Sequence, residues 1–243
     1  MSDWNQARTV AAGAGDMSVD AGLRGFMLGV YNKMGLGLIL SAALAYVTGT
    51  VPAVTALVFT SPLYYVVMFG PIAILLISSF TMRNPSPVGA SVVYWAVVAL
   101  IGVSLGAIVL IYGQMPDGFI TVAKALLITA ASFGALSLWG YTTKRDLSAF
   151  GTFLMMGLIG LIVASLVNLF LHSSALSFAI SVIGVLVFAG LTAWDTQRLK
   201  HMYYQIAGDS RSLAVATTYG ALSLYLDFIN LFLFILRLFG GRR

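Results

Sequence analysis

Residues 147–194 read LSAFGTFLMMGLIGLIVASLVNLFLHSSALSFAISVIGVLVFAGLTAW, and the stretch contains no Asp, Glu, Lys or Arg. A helix needs about 20 apolar residues to cross a hydrocarbon core about 30 Å thick, so a run of this length holds two crossings and a turn. The turn falls at His172-Ser173-Ser174, where polar residues interrupt the apolar sequence. Met34 through Met82 repeats the pattern, again without a charge, and breaks at Gly49-Thr50-Val51-Pro52 and Ser61-Pro62. Composition agrees: hydrophobic residues make up 60% of the chain and charged residues 9%, with a mean hydropathy of +0.96, whereas soluble domains carry about 25% charged residues. The solvent of this protein is a bilayer.

Extending the reading in both directions places spans near residues 30–50, 62–81, 88–112, 121–141, 148–171, 175–198 and 215–238. Long apolar runs rich in Gly and Ala are a helix pattern, while barrel strands alternate over about 10 residues. The predicted fold is therefore an all-α integral membrane protein, a bundle of seven transmembrane helices. Residues 1–24, small and polar, are expected to form a flexible cytoplasmic leader, and residues 25–243 a single transmembrane domain. Basic residues fall in alternate connections: Arg8, Arg24 and Lys33 early, then Arg83, then Lys144 and Arg145, then Arg198, Lys200 and Arg211. By the positive-inside rule the N-terminus is cytoplasmic. The last span is predicted to cross fully, since it is long enough and lacks proline. The net charge of +5 suits loops facing anionic lipid headgroups. No basic face with room to dock nucleic acid exists, and the absence of cysteine excludes disulfides and thiolate metal sites.

Two residues break the apolar rule. Asp195 and Asp227 lie inside the sixth and seventh spans, where a carboxyl group costs about 2.5–3.5 kcal/mol even on the lenient insertion scale. Each sits on a stripe of small and hydroxyl residues: Ser177, Ser181, Gly184 and Thr192 with Asp195, and Gly220, Ser223 and Asn230 with Asp227. Small residues allow helices to approach closely, so the stripes are expected to face one another and bring the carboxyls together. Two carboxyls in contact away from water cannot both ionise cheaply, so the pair would share one proton and titrate as a unit. With the proton present the carboxyls clamp the two helices; without it they repel and accept a cation or an arginine. Calcium, a hard cation, prefers carboxylate and carbonyl oxygens, and Asn230 offers a further one. Two carboxylates are too few ligands for tight binding, which suits a permeation path. Simpler readings stand beside these. Arg198, one turn from Asp195, would form a local ion pair, and Asn230 would bond to a neighbouring backbone.

Ala193-Trp194-Asp195-Thr196-Gln197 and Ser223-Leu224-Tyr225-Leu226-Asp227-Phe228-Ile229-Asn230-Leu231-Phe232 resemble the paired signatures of the Bax inhibitor-1 family of transmembrane proteins. Tyr31, the seven-span pattern and the terminal Leu236-Arg237-Leu238-Phe239-Gly240 fit as well, so the resemblance covers most of the chain beyond the leader. It implies a bacterial-type inner (plasma) membrane protein whose last helix is central and wrapped by the other six. It also implies a pH-sensitive calcium leak gated by the aspartate pair, with no tightly bound cofactor. In the family an arginine latches onto one aspartate in the closed form, and Arg83, at the cytoplasmic end of the second span, is the candidate. Some bacterial members are linked to a membrane quality-control protease, so a non-transporting regulator that binds such a partner is the alternative. An intramembrane aspartyl protease also places aspartates on adjacent helices. Here Leu224-Tyr225-Leu226 precedes the second aspartate, where those proteases carry Gly-x-Gly, so no enzymatic activity is expected.

Overall fold

The computed structural model describes residues 3–81 and 84–240, with the side chains of residues 3–20 left aside. Every described element is a helix: α1 (Asp3–Thr50), α2 (Pro52–Phe59), α3 (Leu63–Thr81), α4 (Pro87–Gly113), α5 (Gly118–Thr142), α6 (Ser148–Leu171), α7 (Ser174–Ile206) and α8 (Ser210–Gly240). Seven of these are long and apolar enough to cross a bilayer, the first over Ala21–Thr50. The backbone of α1 runs into that span without a break, so the leader and the first span are one helix.

Local chemistry explains the breaks. His172 adopts a left-handed conformation (φ 49°) and ends α6; the hydroxyl of Ser173 then caps α7 by accepting from the Leu176 amide at 3.3 Å. Ser86 does the same for α4 through the Gly89 amide at 3.0 Å, and Pro87 sits at the first helical position, where its missing N–H costs nothing. The segment expected to be a simple turn between the first two spans instead folds as α2. Pro52 starts it and Ser61-Pro62 stops it, leaving a short helix with one residue, Val58, buried.

α8 is the axis of the bundle. It packs against α1, α4, α5 and α7, while α3 packs chiefly on α4 and α6 on α7, forming an outer layer. The seventh span is accordingly the most buried of all. The outer surface is inverted relative to a soluble protein, with Ile39, Phe80, Leu127 and Phe170 all largely exposed. Such apolar faces belong against lipid.

A close helix crossing joins α1 to α4. Gly102 and Gly106, one turn apart on α4, face Ser41, Thr48 and Gly49; a Cβ at Gly102 would lie 2.7 Å from the Ser41 Cα, and one at Gly106 would lie 2.6 Å from the Thr48 Cβ. These small residues let the backbones meet without intervening side chains. The same place holds a buried polar link to the axis. Ser41 Oγ donates to the Val98 carbonyl at 3.1 Å, so its oxygen accepts from the Tyr225 hydroxyl at 2.7 Å.

Replacing Gly102 with valine is expected to force α1 and α4 apart and destabilise the bundle by about 1–3 kcal/mol, the usual cost of overpacking. Thermal unfolding of the purified protein in detergent measures this. A control, Gly134→Val, where a Cβ meets nothing within 4 Å, should unfold as the wild type does.

Candidate functional site

α7 and α8 run antiparallel, and glycines bring their backbones together. A Cβ on Gly184 would lie 2.7 Å from the Phe234 ring, and one on Gly220 would lie 2.5 Å from Leu199. α5 closes on the same region, because Gly140 rests on the Ala193 carbonyl, where a Cβ would lie at 2.2 Å. Between these contacts sit Asp195 and Asp227, only 4% and 5% exposed. Their carboxyls lie close enough to each other to interact directly.

The two aspartates have unequal surroundings. Asp195 accepts from the Ser223 hydroxyl through Oδ2, and Arg198 Nη2 lies 3.0 Å from its Oδ1, off the hydrogen-bond direction, so that contact is one of charge. Arg198 also donates to Ser223 Oγ at 3.3 Å and lies over the Trp194 ring, 4.8 Å from its centroid. Among the described residues no cation pairs with Asp227, and none of them bonds to its buried Oδ2. Leu224, Tyr225 and Leu231, its neighbours along α8, are fully buried, and Phe228 packs edge-on against Phe133 of α5.

A cavity borders the Arg198 side of the pair. Its volume is about 290 Å³, and, lined by Ser148, Thr152, Trp194, Gln197, Arg198 and His201, it reaches the half-exposed guanidinium. At the opposite end of the bundle a cavity of about 650 Å³ opens between α6, α7 and α8, bordered by Asn168, Ser177, Ser181 and Arg237. Ser181 and Asp195 are separated by about 21 Å along α7 at the helical rise. The rings of Phe188 and Phe234, stacked with centroids 5.8 Å apart, lie in that interval. The described conformation is thus shut between the two cavities.

The structure brings Ser223 to the aspartate pair but not the other polar members of the stripes. Thr192 Oγ1 donates to the Phe188 carbonyl at 2.8 Å within its own helix. Asn230 Nδ2 donates to the Leu226 carbonyl at 2.8 Å, the backbone bond foreseen as its simpler role. Arg83 lies outside the described residues, and the arginine seen beside the pair is Arg198. Sequence spacing located Arg198 one turn from Asp195; the sharing of its charge with Ser223 from the facing helix had no sequence signal. Among the described residues no three His, Cys, Asp or Glu side chains come together as a metal site. Two carboxylates fall well short of the six to eight oxygens calcium takes.

A seven-span helical bundle with a carboxyl pair buried between its last two helices defines an integral membrane protein built around an intramembrane polar site. The family model described as "Inhibitor of apoptosis-promoting Bax1" matches residues 23–243. A protein of Caulobacter vibrioides is 57% identical over the whole of both chains. The Rickettsia prowazekii protein RP147 is 44% identical over 97% of this chain and 98% of its own. The inner membrane protein YbhL of Escherichia coli is also 44% identical, over 92% of this chain and 94% of its own. The chain belongs to the Bax inhibitor-1 family.

Removing the guanidinium leaves a buried carboxylate without its counter-charge. Arg198→Gln is expected to lower stability at pH 8 by about 1–3 kcal/mol. In an Asp195→Asn background the same change should cost little, giving a coupling of about 0.5–3 kcal/mol in a double-mutant cycle of thermal unfolding.

Proposed function

We propose that the protein is a non-enzymatic cation leak of the inner membrane, passing calcium and opening as pH rises. The observation that carries this reading is a pair of neighbouring buried carboxyls with one guanidinium, that of Arg198 on Asp195, beside them. With one proton on the pair, the cluster of Asp195, Asp227 and Arg198 has no net charge. Removing that proton leaves two carboxylates and one guanidinium, a net negative charge away from water. The cost is relieved when α7 and α8 part or when a cation enters, and both favour conduction. Deprotonation is promoted by rising pH, so the leak is closed at low pH and open at high pH.

Arg198 takes the part of the latch in this scheme, between the neighbouring cavity and Asp195. The Phe188–Phe234 stack is the second barrier, which must move for a path to connect the cavities. The bulky side chains packed around Asp227 argue against a peptide substrate approaching it, in keeping with a transport role. For orientation, Lys144, Arg145, Lys200 and Arg211 gather at the end of the bundle where α5, α7 and α8 meet their connecting loops, which supports a cytoplasmic position for that end and for the N-terminus. The name of the YbhL relative supports the inner membrane as the location.

Protein reconstituted in liposomes is expected to pass calcium several-fold more slowly at pH 6 than at pH 8, read with an encapsulated calcium dye. Asp227→Asn should flatten this dependence, since the remaining aspartate is neutralised by Arg198 at either pH. Flux equal to that of empty liposomes at every pH rules out the leak, and co-purification of a membrane protease would then favour the regulatory role.

A further inference from the structure

We propose that the groove between α1 and α5 binds one anionic glycerophospholipid, with an acyl chain in the groove and the headgroup phosphate on Arg24. The groove has a volume of about 470 Å³ and is lined by Arg24, Met27, Leu28 and Tyr31 of α1 and by Phe133, Gly134, Ser137, Leu138 and Tyr141 of α5. α1 and α5 each pack on α7 and α8 but not closely on each other, so a slot is left open to the bilayer. Its floor is formed by Met27 and Phe133, both buried, and its rim by Leu28 and Leu138, both exposed. Nothing in the slot would repel a hydrocarbon chain.

Three features select the occupant. First, the mouth is basic. Arg24 is exposed there, and Lys200 Nζ, which donates to the Tyr141 carbonyl at 3.0 Å, lies over the Tyr141 ring at 5.4 Å. None of the described aspartates lines the groove, so its charge is complementary to a phosphate. Second, Ser137 Oγ is buried and has no hydrogen-bond partner. Ser137 lies five residues before the end of α5, about 7 Å deeper than the helix terminus. That is the level of the glycerol ester carbonyls beneath a headgroup resting on Arg24, and such a carbonyl would accept from the orphaned hydroxyl. Third, Gly134 is exposed and a Cβ there meets nothing within 4 Å, so no side chain covers the slot at that level. A free phosphate would satisfy the first feature only. A lipid satisfies all three, and its binding is independent of whether the protein conducts ions.

The site would also place lipid against the aspartate region. Phe133 on the groove floor packs on Phe228, the neighbour of Asp227, and Tyr31 approaches the Thr196 hydroxyl at 3.4 Å, next to Asp195. An acyl chain in the slot would therefore buttress the packing around the pair.

Native mass spectrometry of the full chain in detergent tests this, with dioleoylphosphatidylglycerol and dioleoylphosphatidylcholine added at equal concentration. One tightly retained lipid is expected, with the phosphatidylglycerol favoured at least about fivefold, the contribution of a single basic residue at a membrane surface. Gly134→Trp should abolish retention of both lipids by filling the slot, with the helical circular dichroism unchanged. Arg24→Gln should bring the preference close to one, while Lys144→Gln, on the same side of the bundle, should keep it. The proposal fails if neither lipid stays bound, if both are held equally by the wild type, or if Gly134→Trp folds and retains the lipid. It also fails if Lys144→Gln erodes the preference as much as Arg24→Gln, because the selectivity would then reflect general surface charge.

Discussion

A carboxylate in hydrocarbon has neither water nor a high dielectric to stabilise it, and two of them in contact have each other's charge to contend with. Asp195 and Asp227 meet under those conditions, and much of the surrounding structure answers that problem. Arg198 supplies half of the needed positive charge, Ser223 supplies a hydroxyl from the facing helix, and the remaining charge is left to a proton. Gly184 and Gly220 allow α7 and α8 to come close enough for this sharing, and Gly140 lets α5 seal the Ala193 backbone beside it.

The placement of α8 follows from the same need. A helix carrying an unpaired carboxyl cannot face lipid, so it is enclosed by α1, α4, α5 and α7, while the helices without intramembrane charges, α3 and α6, take the outer positions. Enclosure by four helices in turn requires close crossings around the axis. The α1–α4 crossing provides one through Gly102, Gly106 and Ser41, and the hydroxyl of Ser41 ties the crossing to Tyr225, two residues from Asp227. Helix packing and polar site are thus not separable parts of the molecule: the small residues that permit one also position the other.

How far this was legible in the sequence differs from residue to residue. The runs at Met34–Met82 and Leu147–Trp194 were decisive for the spans because nothing else in protein chemistry tolerates such stretches without charge. The turn at His172-Ser173 was equally plain, since polar residues in the middle of an apolar run have few other uses. α2 was not foreseen, because two prolines ten positions apart read as punctuation, whereas the first of them is a good helix starter. Asn230 stood on the right stripe, yet its amide turned to its own backbone; side-chain choice between equivalent partners is invisible to spacing. The open slot between α1 and α5 and the orphaned Ser137 hydroxyl had no sequence signal, because a gap is a property of two helices that fail to meet.

Sequence alone determined the solvent, the number of crossings and the two positions where a charge enters the membrane, since these follow from transfer free energies that each residue carries with it. Family membership was also written in the chain, through the short segments around Asp195 and Asp227. Only the tertiary structure decided which hydroxyl from the facing helix joins Arg198 at Asp195, which helices touch α8 and where the packing is left open to lipid. Those outcomes depend on distances across helix interfaces, and such distances arise only when several helices settle against one another at once.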